Sequence, residues 1–154
     1  MSTVLITGSG RRLGRGLALE FAKHGWDVII HYHNSKDEAS ITVAEIKALG
    51  VKSSSFCADV KSKSELSTGF AKAISDLDIP DVLVNNAAIY PKFNQLSDTS
   101  SELWQEVMDT NLTGYFEMSK IFAAIAKPGS RIVNIASMGA FSIWKGRIPY
   151  NVSK

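Results

Sequence analysis

Tyr150 and Lys154 stand four residues apart in Tyr150-Asn151-Val152-Ser153-Lys154, a spacing that places a phenol and an ammonium on one face of a helix. A free tyrosine titrates at about 10 and is a poor acid or base at neutral pH. A nearby cation favours the phenolate and lowers that value, which makes such a pair a candidate for proton transfer. Ser137 lies 13 positions before Tyr150, at the end of an apolar run. A serine there can hydrogen-bond a carbonyl oxygen and stabilise the charge that develops on it. A Tyr-x-x-x-Lys pair alone is common on protein surfaces, so its meaning depends on the rest of the chain.

A second candidate is the glycine-rich run Thr7-Gly8-Ser9-Gly10-Arg11-Arg12-Leu13-Gly14-Arg15-Gly16. Between a strand and a helix, such a turn presents backbone amides and a helix N-terminus to a pyrophosphate. Glycine is needed where the chain turns tightly or where a Cβ would meet the phosphate. The fingerprint G-x-G-x-x-G does not fit. Gly10, Gly14 and Gly16 spell G-x-x-x-G-x-G, but that register begins three residues past the strand. Starting from Thr7-Gly8 the run reads T-G-x-x-x-R-x-G and ends on Gly14.

Dinucleotide-binding domains that take NAD carry an acid about 20 residues beyond the turn, on the ribose 2′-hydroxyl. Here that place reads His31-Tyr32-His33-Asn34-Ser35, with no acid before Asp37. The missing carboxylate removes a repulsion against a 2′-phosphate, and His33, Asn34 and Ser35 offer hydrogen bonds to its oxygens. His31 and His33 also read as strand-end residues that touch no ligand.

These residues need a scaffold, and the apolar pattern supplies one. Thr3–Thr7, Asp27–Tyr32, Lys52–Ala58, Asp81–Asn85 and Arg131–Ala136 read as strands. Leu13–His24, Lys36–Leu49, Ser62–Ser75 and Ser100–Ala126 read as helices. Leu13, Leu17, Ala18 and Phe21 are expected on one face of the first helix, Gly50 as the stop of the second, and a break near Thr113-Gly114 in the last. Tyr150–Lys154 reads as the first turn of another helix. Strands apolar on both faces and separated by helices indicate a parallel sheet covered on both sides, and right-handed crossovers then give a doubly wound α/β fold. An apolar edge strand left bare is an aggregation hazard, so the 154 residues are expected to be a fragment, or the ordered portion, of something longer.

Composition narrows little: 45% hydrophobic and 21% charged residues are ordinary for a globular chain. A net charge of +2 without a basic stripe argues against nucleic acid. No run approaches the roughly 20 apolar residues of a membrane span, and no signal peptide is read. Cys57 is the single cysteine, so no internal disulfide forms, and a cytoplasmic home is expected.

The T-G-x-x-x-R-x-G turn resembles the T-G-x-x-x-G-x-G turn of short-chain dehydrogenases/reductases, with Arg12 in place of the middle glycine. Asn85-Asn86-Ala87-Ala88 is similar to that family's Asn-Asn-Ala-Gly segment, with Ala88 for the glycine, and Cys57-Ala58-Asp59-Val60 to the stretch whose Asp-Val pair meets the adenine. Read without relatives, Asp59 is equally a helix N-cap and Asn86 a strand-end turn residue. Asn111, in Asp109-Thr110-Asn111-Leu112-Thr113-Gly114, matches the asparagine of the family's proton relay.

The resemblance runs from Val4 to Lys154 and implies a Rossmann-like, three-layer αβα domain over 1–154 that lacks its last strands, last helices and substrate region. It implies catalytic roles for Asn111, Ser137, Tyr150 and Lys154. It implies NADP(H) contacts from Gly8, Ser9, Arg11, Arg12, Leu13, Gly14, His33, Asn34, Ser35, Asp59, Val60, Asn86, Ala87, Ala88, Tyr150 and Lys154, and no metal. Arg11 matches the basic residue of many NADP-preferring members. The expected activity is hydride transfer between NADP(H) and a small-molecule carbonyl or alcohol in a homo-oligomer, tetramer or dimer. Arg12 and the His31–Ser35 stretch also resemble pteridine reductases, although Ser137 stands where the best-known of these carry aspartate. A non-catalytic NADP sensor is the rival of another class.

Overall fold

The computed structural model describes residues 2–92, 95–142 and 144–154. Its strands β1 (Thr3–Ile6), β2 (Asp27–Tyr32), β3 (Ser53–Cys57), β4 (Val82–Asn85) and β5 (Arg131–Asn134) form one parallel sheet in the order β3-β2-β1-β4-β5. Helices α1 (Arg12–Lys23), α2 (Lys36–Ala48), α3 (Lys63–Ser75), α4 (Ser101–Met108), α5 (Gly114–Ala123) and α6 (Ile148–Ser153) complete the Rossmann-like arrangement.

Alternation along the strands divides the core between the two faces of the sheet. Leu5, Ile29 and Leu83 meet Phe56, Phe70, Met118 and Phe122 on one side. Val4, Ile6, Val28, Ile30 and Val84 meet Ala18, Ala22, Ala39 and Ile46 on the other. Burying each large aliphatic side chain contributes about 1.5–3 kcal/mol. An exposed ion pair such as Arg15–Glu45 contributes about 1 kcal/mol at most, so the packed layers decide stability.

Three local expectations are corrected. Leu13 does not share the packed face of α1: it is 58% exposed, while Gly14, Ala18 and Ala22 are buried. Small residues four apart let α1 lie close to the sheet, and the leucine is turned outward. The helix after β4 does not break at Thr113-Gly114. Residues Asp109–Thr113 form a π turn that joins α4 to α5, with helical dihedrals at Thr113 and Gly114. Gly114 serves close approach instead, since a Cβ there would lie 3.1 Å from the Val60 side chain. The last helix begins at Ile148, two residues before Tyr150, with Pro149 in its first turn. Gly50 does follow α2 as expected, at φ +86° with its N–H on Lys47 O.

Among the described residues strand β5 pairs with β4 alone, and Ile132 and Val133 are 42% and 44% exposed. Among the described residues no helix is long and apolar enough to cross a membrane.

Candidate active site

Strand order reverses between β1 and β4, and in doubly wound sheets ligands bind in a crevice at the carboxyl ends of the strands at such a point. Thr7 and Asn86 stitch the two ends together. Thr7 Oγ1 accepts from the N–H groups of Asn86 and Ala87 at 2.9 and 3.0 Å, and Asn86 Nδ2 donates to the carbonyls of Thr7 and Gly8 at 2.9 and 3.2 Å. Asn86 is thus a strand-end clamp beneath the glycine turn.

The turn is built for closeness. Gly8 has φ +65°, and a Cβ on it would lie 2.8 Å from Ala87 Cα. A Cβ on Gly14 would collide with Gly8 O and lie 2.8 Å from Ser9 Cα. Ser9 is fully buried and donates its hydroxyl to Ile6 O at 2.7 Å. Arg12 has φ +53°, the left-handed region where a glycine would be at ease. Helix α1 has no side-chain cap and no acid in its first turn, whereas Ser62 and Ser100 cap α3 and α4. Its first amides and dipole therefore face the crevice rim ready for an anion. Arg15 is paired with Glu45, while Arg11, Arg12 and Leu13 are exposed at the rim.

Beyond β2, His33 and Asn34 are exposed, and Ser35 sits against the turn so closely that a Cβ on Gly10 would lie 2.8 Å from its Oγ. His31 differs from them. It is buried and bridges Gly8 to Ala58, whereas His33 and Asn34 face outward. Asp59 is not the cap of α3, because Ser62 holds that place by accepting from Glu65 N–H. Asp59 instead accepts from Lys61 N–H at 3.0 Å, next to buried Val60. Ala88 is exposed at the mouth.

On the other side of the crevice, Ser137 opens a short 3-10 turn, its Oγ accepting from Gly139 N–H at 3.1 Å. Helix α6 packs on that turn at Gly139, where a Cβ would lie 2.9 Å from Asn151 Oδ1. Tyr90 meets the Tyr150 ring edge-on at 4.7 Å, and Trp144 is stacked at 6.3 Å with a 12° tilt. Asn111 is buried in the π turn. It accepts from Ile89 N–H at 2.8 Å and donates to Ile89 O and Ser153 Oγ at 3.0 and 2.9 Å. It thereby ties the segment after β4 to α6.

Lys154 donates to Tyr115 Oη at 2.8 Å and lies over the Tyr115 ring. Burial lowers its ammonium from the usual value to about 8. Burial, followed by the charge of Tyr150, raises the Tyr115 phenol. Tyr90, Trp144 and Tyr115 were not anticipated from sequence. Tyr90 stands two residues beyond Ala88 and Tyr115 four beyond Asn111, and aromatic residues next to strand ends or helix irregularities were the available clue.

The family model for short chain dehydrogenases matches residues 2–154. The chain is 38% identical over 138 residues to the 3-oxoacyl-(acyl-carrier-protein) reductase FabG of Staphylococcus epidermidis, which covers 88% of this chain and 56% of that protein. It is 32% identical to a short chain dehydrogenase/reductase of Colletotrichum higginsianum over 99% of this chain and 58% of that one. Among solved structures, a dehydrogenase/reductase from Sinorhizobium meliloti superposes with a TM-score of 0.94 at 28% identity, over 99% of this chain and 61% of the other. The F189W actinorhodin polyketide ketoreductase with NADPH gives 0.89 at 31% identity, over 99% and 59%. The chain spans less than two thirds of the length of each.

Proposed function

Because the chain belongs to the short-chain dehydrogenase family, we propose that it is the nucleotide-binding and proton-transferring part of an NADP(H)-dependent oxidoreductase that interconverts a carbonyl and an alcohol. The observation that carries this reading is the Gly8/Gly14/Asn86 lattice, which seats the uncapped start of α1 at the switch point of the sheet. Gly8 and Gly14 leave no room for a Cβ against Ala87, Ser9 and the Gly8 carbonyl, which keeps the turn tight, and the amides with exposed Arg11 and Arg12 suit the charge of a diphosphate. His33, Asn34 and Ser35 without an acid suit a 2′-phosphate. The structural relative solved with NADPH supports the same preference.

When bound, the nicotinamide supplies or accepts the hydride. Ser137 Oγ orients the carbonyl oxygen and stabilises its developing charge. Tyr150 Oη delivers the proton to that oxygen, or removes it in the reverse direction. Lys154 is assigned to the ribose hydroxyls and to the field at Tyr150, a role in which its bond to Tyr115 must be exchanged. Asn111 positions the wall through Ile89 and Ser153 and is assigned to the proton relay.

Pterin reduction is a second reading, favoured by the aromatic rings of Tyr90 and Trp144 clustered at Tyr150. A dimer or tetramer is proposed through the α4–α5 rod, where Leu112 and Phe116 are 55% and 58% exposed. The free, exposed Cys57 suits a reducing cytoplasmic home.

The test is NADPH oxidation with ketones, 3-oxoacyl thioesters and pterins, for the wild type and Tyr150→Phe. Turnover is expected to fall by about 10²-fold or more in the variant, with a far smaller change in NADPH affinity. Binding without turnover of any compound by the protein with its substrate region present would favour a sensor and sink the enzyme reading.

A further inference from the structure

His31 lies on β2 opposite Phe56 of β3, is 1% exposed, and meets the Phe56 ring at 5.1 Å. Its backbone carbonyl accepts from Ser9 N–H at 2.9 Å and its N–H donates to Ser9 Oγ at 3.3 Å. Its ring reaches both ways along the crevice floor. Nδ1 is 3.0 Å from Gly8 N and Nε2 is 3.0 Å from Ala58 O.

These partners fix the protonation state without ambiguity. A backbone N–H only donates, so Nδ1 must be a bare acceptor. A backbone carbonyl only accepts, so Nε2 must carry the hydrogen. The ring is therefore a neutral imidazole, and a second proton on Nδ1 would face the Gly8 N–H head-on. Burial lowers the His31 pKa to about 4, with smaller opposing effects from the Ala58 carbonyl and Asp59 and a reinforcing one from His33. His33 at the end of β2 and Asp59 beyond β3 are the titratable groups that act on it.

Gly8 is the left-handed residue on which the turn pivots, and Ala58 directly precedes Asp59-Val60. We propose that His31 is a positioning residue for the nucleotide: as a neutral imidazole it sets the glycine turn under the diphosphate and locks that turn in register with the loop assigned to the adenine. The proposal rests on the cofactor reading above. It adds a residue that touches no ligand yet controls affinity for both halves of one.

The side-chain geometry supplies discriminating variants. Asparagine places Oδ1 at the reach of Nδ1 and can keep the Gly8 acceptor. Glutamine reaches towards Ala58 but is too long to present its oxygen to Gly8. Leucine does neither. NADP⁺ binding is measured by calorimetry for the wild type, His31→Asn, His31→Gln and His31→Leu between pH 4.5 and 8, each first checked for native circular dichroism. The expected result at pH 7.5 is a loss of affinity of about tenfold for leucine and glutamine and about threefold or less for asparagine, from the one hydrogen bond regained. Down to about pH 5 the wild type should follow the same pH dependence as His31→Asn, because the buried ring stays neutral there. Equal affinity for wild type and His31→Leu, or equal losses for asparagine and leucine, would overturn the positioning role alone. A wild type that binds no NADP⁺ at all would overturn the cofactor reading together with it.

Discussion

Arg12→Gly is expected to make the ligand-free protein more stable and the liganded one weaker. Arg12 holds φ +53° without being a glycine, and the left-handed conformation costs an L-residue about 1–2 kcal/mol. Its charge lies in the first turn of α1, against the positive end of the helix dipole, which adds a further penalty that solvent screens. Glycine removes both but enlarges the freedom of the unfolded chain, which returns about 0.4–1 kcal/mol. The balance is a gain of about 1 kcal/mol, or roughly 2–4 °C in Tm for a protein of this size class. If the guanidinium meets a cofactor phosphate, the lost charged hydrogen bond is worth about 1.5–3 kcal/mol, roughly 10- to 100-fold in affinity. Thermal unfolding with and without NADP⁺, with calorimetry for affinity, reads both effects. Arg12→Ala serves as the control, since it loses the charge but keeps the strained backbone. It should weaken binding with little gain in Tm. A lower Tm for ligand-free Arg12→Gly would refute the reasoning, because it would mean that contacts of the arginine outweigh its strain.

Two further outcomes follow from buried groups. Asn111→Ala leaves the N–H and C=O of Ile89 without their side-chain partner; urea unfolding should show a loss of about 2–4 kcal/mol, and a loss below about 1 kcal/mol would contradict the tie between Ile89 and α6. The His31 pKa is lowered from 6.5 to about 4, so between those values the unfolded chain takes up a proton that the folded one refuses. Its contribution to stability is full above pH 6.5 and is lost as pH falls towards 4, on the order of 3 kcal/mol in all. The urea midpoint of the wild type should therefore drop more than that of His31→Asn over this window, and parallel curves would show that His31 does not titrate as described.

Much of the fold could be read from the pattern because strands such as Val4–Ile6 and Val28–Ile30 are apolar on both faces, which a parallel sheet between two helical layers requires. The glycine turn was legible for a related reason: crowding leaves few residue types possible at Gly8 and Gly14. What escaped was set by partners distant in sequence. Leu13 fits the helical period of α1, but packing at Gly14, Ala18 and Ala22 selected a stripe one residue over. Thr113-Gly114 has the composition of a break, yet the glycine is needed for contact with Val60. His31 could equally have faced a ligand. Only the positions of Gly8 and Ala58, 23 and 27 residues away in sequence, turn it inward. The roles of Ser137 and Tyr150 were suggested by order and spacing, while the aromatic rings around Tyr150 come from loops whose course no periodicity encodes.

The π turn at Asp109–Thr113 also limits how this rod tolerates changes in length. A wide turn holds one residue more than an ordinary one, and removing that residue would rewind the segment by about 100°. Val107 on one side and Met118 and Phe122 on the other, all buried now, could not then all stay buried. Substitutions within these five positions perturb single contacts, whereas a one-codon deletion anywhere between them would swing half the rod out of register with the sheet.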